Sequence, residues 1–375
     1  TIPLIKRRGF KAHFAGAVEA AASSGGQITP PIMGAVAFIM ADVTGEPYLT
    51  ICAAAAVPAI LYYVGLFMAT SSAARSMDLD VSEQPKPSFV WRELAQIIVF
   101  MLSLTAIVIA MVGGSSPAYA GFIGVAFAVV LGFAIKPGLL TDVSSWVRFV
   151  RSAGLISAQL VVIVGAVGII IGILNLTGVG LRFASLVASY ADGQLAISLL
   201  LMAVACLLLG MGMPTVPAYL IIVLQRLGVP IIHTHILVLY FGVLSAVTPP
   251  VALAAFAAAP IAGAGAMRTA IEASRLALPG FVIPFAFIYQ PAMLLGTGYP
   301  LVQSAQSILF VTLAVLHISR ACYPARGKAG YAPLGLGIAF ALLFFGPLVS
   351  WIAVAATVAL WSAVRFGAFM TPEVS

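Results

Sequence analysis

Two copies of threonine-proline-proline, Thr29-Pro30-Pro31 and Thr248-Pro249-Pro250, interrupt two apolar stretches of this chain. Proline has no N–H, and its ring clashes with the preceding turn, so two in succession stop a helix. Inside a membrane-length segment, the freed carbonyls must be satisfied by protein, water or an ion. The surroundings of the two copies match at one fixed offset. Adding 219 to Arg7, Gly9, Thr29, Pro30, Pro31 and Thr50 gives Arg226, Gly228, Thr248, Pro249, Pro250 and Thr269. After a small insertion the match resumes, with Val57-Pro58-Ala59 against Leu278-Pro279-Gly280. A duplicated apolar segment, broken at the same place in both copies, indicates a membrane carrier built from internal repeats. Paired breaks also point to a substrate and ion site near the bilayer midplane.

Composition excludes a water-soluble chain. Only 8% of residues are charged and 62% are hydrophobic, with mean hydropathy +1.14. Soluble domains carry about 25% charged residues. Stretches 94–135, 152–181, 193–225, 227–267, 276–319 and 329–364 hold no charged residue, and each is long enough for at least one crossing of about 20 residues. The net charge of +7 does not indicate nucleic acid, because the basic residues flank apolar spans, where they set topology. Cys52, Cys206 and Cys322 have no metal-ligand spacing and read as small apolar side chains. No Ser-His-Asp grouping, zinc spacing or phosphate loop is present, so the chain does not read as an enzyme.

The distribution of Lys and Arg gives a path through the bilayer. Residues 13–41 cross outward, interrupted at 25–31, and 48–70 return. Residues 93–112, 118–135 and 153–176 cross in turn. Residues 194–225 form a re-entrant hairpin bent at 210–215. Residues 232–262 cross inward, interrupted at 245–250. The pairs 276–295 with 301–319 and 331–345 with 348–364 complete the path. On it, 16 of the 18 basic residues face the cytoplasm, and only Arg182 and Arg226 face outward. A plain crossing at 194–225 would flip everything after it and place Arg268, Arg275, Arg320, Arg326 and Lys328 outside. The expected fold is an all-α polytopic membrane protein with inverted repeats, a re-entrant hairpin and interrupted helices. Its expected parts are 1–70 (a partial first repeat, including the end of a first hairpin), 71–152 (connector and middle helix pair), 153–295 (second repeat) and 296–375 (C-terminal helices).

Three motifs offer ligands. The first is Ser23 to Pro31, where Ser23, Ser24, Gln27 and Thr29 supply neutral oxygens beside the break at Gly25, Gly26 and Pro30. Such a set suits a sodium ion or the polar part of a substrate. The second is Leu244 to Ala252, with Ser245, Thr248 and Pro249. The third is the Gly210-Met211-Gly212-Met213-Pro214-Thr215 turn at the middle of the hairpin. Its glycines permit a tight turn, Pro214 stops the entering helix, and Thr215 can cap the leaving one. One proline motif alone reads as a kink; two at one offset do not. Glu19 stands six residues before the first break as a weaker candidate.

At residues 18–49, 173–183, 210–221 and 240–263 the sequence resembles the large membrane subunit of TRAP transporters, and is most similar to the fused permease of the TAXI branch. The resemblance runs from Thr1 to about residue 295. It implies an elevator-type secondary carrier that takes organic acids from a periplasmic binding protein and imports them with sodium across the bacterial inner membrane. It further implies that Gly210, Gly212, Pro214 and Thr215 join Ser245, Thr248 and Pro249 in a second cation site, with Gly212, Thr215, Ser245 and Thr248 on the sodium ion. Ser24, Gly25, Gly26, Thr29 and Pro30 supply half of the first site. The implied partners are a TAXI-type binding protein, a small membrane subunit fused at the front in this branch, a carboxylate substrate and the lipid bilayer. No cofactor beyond sodium as coupling ion is implied. The first repeat is expected to continue into a hairpin ahead of Thr1. Two other readings remain: a stand-alone dicarboxylate carrier without a binding protein, and a non-transporting membrane scaffold.

Overall fold

The computed structural model describes residues 1–31, 33–34, 37, 40–41, 44–77, 91–135, 142–177, 189–190, 194–210, 228–250, 252–324 and 331–370. Among these residues every regular element is helical. The helices are α1 (Ile2–Arg7), α2 (Ala12–Gly25), α3 (Tyr48–Ser76), α4 (Trp91–Val112), α5 (Pro117–Ile135), α6 (Val143–Thr177) and α7 (Leu195–Gly210). They continue with α8 (Ile231–Leu244), α9 (Leu253–Ala262), α10 (Ala266–Leu276), α11 (Leu278–Tyr289), α12 (Leu301–Cys322), α13 (Ala332–Phe344) and α14 (Pro347–Met370). Among the described residues, four spans are long and apolar enough to cross a bilayer: Tyr48–Ser76, Ala118–Ile135, Ala266–Tyr289 and Leu301–Cys322. With the apolar composition, this makes the protein an all-α polytopic membrane protein.

The chain divides into two compact units. One comprises Pro47–Leu49 and Ser82–Val179. Within it, α4 and α5 form a helical hairpin that turns at Gly113 and Gly114. The pair approaches closely because Gly124 has no side chain: a Cβ there would lie 2.4 Å from Ile107 Cγ1. Asp142 precedes α6 and accepts from the Ser145 N–H at 3.2 Å and the Ser144 hydroxyl at 2.6 Å. These bonds hold its carboxyl well below the usual range, at about 2. That cap explains why α6 starts at Val143, ten residues before the apolar run at 153.

The other unit comprises Thr1–Glu46, Thr50–Val81 and Gly180–Ser375. Here α2 packs against α9 and α10. Gly16 makes this possible, since a Cβ on it would sit 3.1 Å from Thr269 Cγ2 and 3.2 Å from Ala262 Cβ. The helix that leads into the first break thus leans on the helices that follow the second break. Lys6 fixes the same contact, donating from Nζ to Ala262 O at 2.7 Å. A cation there meets the negative end of α9 and one of its orphan carbonyls. Gly263, with φ 71°, ends α9 in the left-handed region.

The crossing expected at 276–295 is longer at its front. Only Ala277 separates α10 from α11, so helix runs almost unbroken from Ala266 to Tyr289. The charges that delay its start in the sequence are tied down in the structure. Tyr323 donates to Glu272 Oε1 at 2.6 Å, and Arg275 lies 4.3 Å over the Tyr323 ring while donating to Cys322 O. The C-terminal helices pack through α12. Buried His317 faces Thr357 Oγ1 at 3.1 Å, Gly335 leaves room for its ring, and Arg320 stacks on Trp361.

Candidate substrate and cation site

The two breaks have one geometry, position by position. Helix α2 covers Ala12–Gly25 and α8 covers Ile231–Leu244, the same range shifted by 219. Each is followed by a 3-10 turn, Gly26–Ile28 and Ser245–Val247. Each turn ends at a threonine in extended conformation, with φ −96° at Thr29 and −100° at Thr248. Both Pro30-Pro31 and Pro249-Pro250 are cis. Met33 and Ala252 then take φ of 40° and 36°. A left-handed conformation is uncommon for a residue with a Cβ, and such outliers concentrate at functional sites. These two occupy matching positions, 219 apart.

Each threonine closes the end of its helix in the same way. The Thr29 hydroxyl donates to Gly25 O and the Thr248 hydroxyl to Leu244 O, both at 2.7 Å. The threonine N–H groups donate to Gly26 O at 3.3 Å and Ser245 O at 3.1 Å. The threonine carbonyls accept from Met33 and Ala252 at 3.0 and 3.1 Å. Ser245 donates its hydroxyl proton to Gly242 O at 2.6 Å. A hydroxyl whose proton is committed to a carbonyl still has lone pairs that can accept. The helix ends at Gly25 and Leu244 are C-terminal, so their dipoles present partial negative charge at the breaks. Neutral oxygens beside the negative ends of two helices suit a weakly held monovalent cation. Among the described residues no group of three or more His, Cys, Asp and Glu comes together.

The other expected residues fall as follows. Ser24 and Gly25 are buried, and the Ser24 hydroxyl has no partner among the described residues. Ser23, Gly26 and Gln27 are exposed, Thr29 and Pro30 half-buried. Ser23 donates to Glu19 Oε1 at 3.4 Å, and Gln27 O accepts from the Gly34 N–H at 2.8 Å. Ser245 is buried, Thr248 and Pro249 half-buried. Helix α7, the entering arm of the expected hairpin, ends at Gly210 and packs on α8 and on the Ser245–Val247 turn. Gly212, Met213, Pro214 and Thr215 lie outside the described residues.

The sequence family described as "Tripartite ATP-independent periplasmic transporter, DctM component" matches residues 1–302. The chain belongs to this family. No match was found among curated proteins. Both breaks, α7 and the junction of α10 with α11 fall inside the DctM match, whereas α13 and α14 lie beyond it. The DctM assignment makes the chain a membrane component of a tripartite transporter, which is a transport role.

Three residues contact the breaks without standing out in the sequence. Ser274 of α10 donates its hydroxyl to Val247 O at 2.8 Å, satisfying a carbonyl of the second break. Tyr62 and Tyr63 of α3 donate to Ala21 O at 2.7 Å and Ala22 O at 3.3 Å, in the last turn before the first break. All three act across tertiary contacts, and each sits in a stretch that reads as ordinary helix.

Proposed function

We propose that this DctM component is the permease of a sodium-coupled, binding-protein-dependent importer of organic acids in the bacterial inner membrane. The observation that carries the reading is the pair of breaks that match in helix ends, left-handed residue and threonine cap. A structural kink does not need to be copied in such detail. Two matched sites for a coupling ion do, because each must close around the same ion. Sodium fits the chemistry of the ligands, which are hydroxyls and backbone carbonyls and not carboxylates. Ser245 and Thr248 supply the second site together with Gly212 and Thr215 of the hairpin turn; Ser24, Thr29 and the backbone of Gly25 and Gly26 supply half of the first. Sodium neutralises the converging helix ends and so favours binding of an anionic substrate beside them. The two broken helices and their hairpins move as one block in an elevator-type cycle. The partners are a TAXI-type periplasmic binding protein, which carries most of the substrate selectivity, and a small membrane subunit.

Uptake of radiolabelled organic acids into proteoliposomes tests this reading, with the full-length protein, its small subunit, sodium and the binding protein each supplied or omitted. Uptake that requires both sodium and the binding protein is the expected result. Uptake with sodium alone indicates a stand-alone carrier, and absence of uptake across a panel of organic acids overturns the transport reading.

A further inference from the structure

The two breaks differ in one respect. At the second, Ser245 on the 3-10 turn supplies a hydroxyl to Gly242 O in the last turn of its own helix. Its counterpart 219 residues earlier is Gly26, which has no side chain. At the first break, two hydroxyls from another helix reach the end of α2 in addition to the Thr29 hydroxyl. Tyr62 and Tyr63 reach from α3 to Ala21 O and Ala22 O. The Tyr62 ring is buried and lies between two glycines. A Cβ on Gly25 would stand 2.6 Å from Tyr62 Cε1, and a Cβ on Gly280 would stand 2.5 Å from Tyr62 Cδ2. Gly25 is the last residue of α2, and its carbonyl takes the Thr29 hydroxyl. Gly280 belongs to α11, in the second repeat. One ring edge therefore bears on the first break while the other bears on the second repeat, with no slack on either side.

We propose that Tyr62 is a positioning residue: it sets the cation affinity of the first break and ties that break to the second repeat. This rests on the sodium reading above. The hydroxyl anchors the carbonyl end of α2, and the ring carries displacement between Gly25 and Gly280. Loss of the hydroxyl lets the last turn of α2 relax and moves the Thr29 oxygen off its sodium position. A side chain at Gly280 pushes the ring toward Gly25 from the far side and displaces the same turn without touching the first break.

The test is equilibrium binding of radioactive sodium to the purified full-length protein in lipid nanodiscs, reading both half-saturating concentration and ions bound per chain. Tyr62→Phe keeps the ring and removes one hydrogen bond. The expected result is a rise of about five-fold in half-saturating sodium, the size of one ordinary hydrogen bond, with a shallower curve and an unchanged number of ions. Gly280→Ala, where it folds, shifts the curve in the same direction. A merely structural role lowers the number of ions bound, through loss of active protein, and leaves the half-saturation where it was. That result, or a Tyr62→Phe curve that overlays the wild type, overturns the proposal. If the wild type binds no sodium, the functional reading itself falls, and the proposal falls with it.

Discussion

Replacing Thr248 by valine removes one oxygen from the second break and changes little else. The two side chains have nearly the same shape, so the half-buried site loses a hydroxyl without gaining a cavity. Two effects follow from the structure. Leu244 O loses the hydroxyl that lies 2.7 Å away. That carbonyl sits at a helix end beside half-buried residues, and leaving it unpaired costs about 1–3 kcal/mol of stability. The sodium ion loses one neutral oxygen ligand. Contacts between a dipolar group and a full charge start at about 1.5 kcal/mol, which is roughly ten-fold in affinity. Thr248→Val should therefore raise the sodium concentration for half-maximal uptake by about ten-fold, with a smaller effect on the rate at saturating sodium. Thr248→Ser keeps the oxygen and the carbonyl bond and should stay within about two-fold of wild type. The assay is initial uptake into proteoliposomes over a sodium series at fixed loaded binding protein. A valine curve that overlays the wild type refutes the assignment of this hydroxyl to the ion.

Other substitutions test the packing and the caps. Gly25→Ala places a methyl 2.6 Å from the Tyr62 ring; overpacking of this kind costs about 1–3 kcal/mol and should lower the melting temperature in detergent. Lys6→Met keeps the aliphatic stem but removes the bond to Ala262 O, which should cost about 1 kcal/mol and raise amide exchange at 263–265. Asp142 holds its cap with a carboxyl whose pKa is depressed to about 2. A depressed carboxyl contributes above its unfolded pKa, and the contribution fades as pH falls through the folded value. Exchange at the first turn of α6 should thus stay slow from neutral pH to about 4, once corrected for intrinsic exchange, and quicken towards pH 2, whereas Asp142→Ala should exchange fast throughout.

The breaks were legible in the sequence because glycine and proline act locally. Thr29-Pro30-Pro31 and Thr248-Pro249-Pro250 stop a helix wherever they occur, and the offset of 219 makes them a pair. The 3-10 turns and the left-handed Met33 and Ala252 were not legible, since neither residue type announces that conformation. The start of the Ala266–Tyr289 span was hidden by Arg268, Glu272 and Arg275, which look like loop residues until Tyr323 and the Cys322 carbonyl are brought beside the latter two. Tyr62 reads as one more apolar residue of a long helix. Its role depends on Gly25 and Gly280, which stand 37 residues before it and 218 after it. Packing partners at such separations leave no periodic trace.

The most direct test of the account is a pair of cryo-EM maps of the full-length protein in lipid nanodiscs, one in sodium chloride and one in choline chloride. The account predicts density beside Thr29 Oγ1 and Thr248 Oγ1 in sodium, absent in choline. Breaks that look the same in both salts, with no ion beside either threonine, would contradict it.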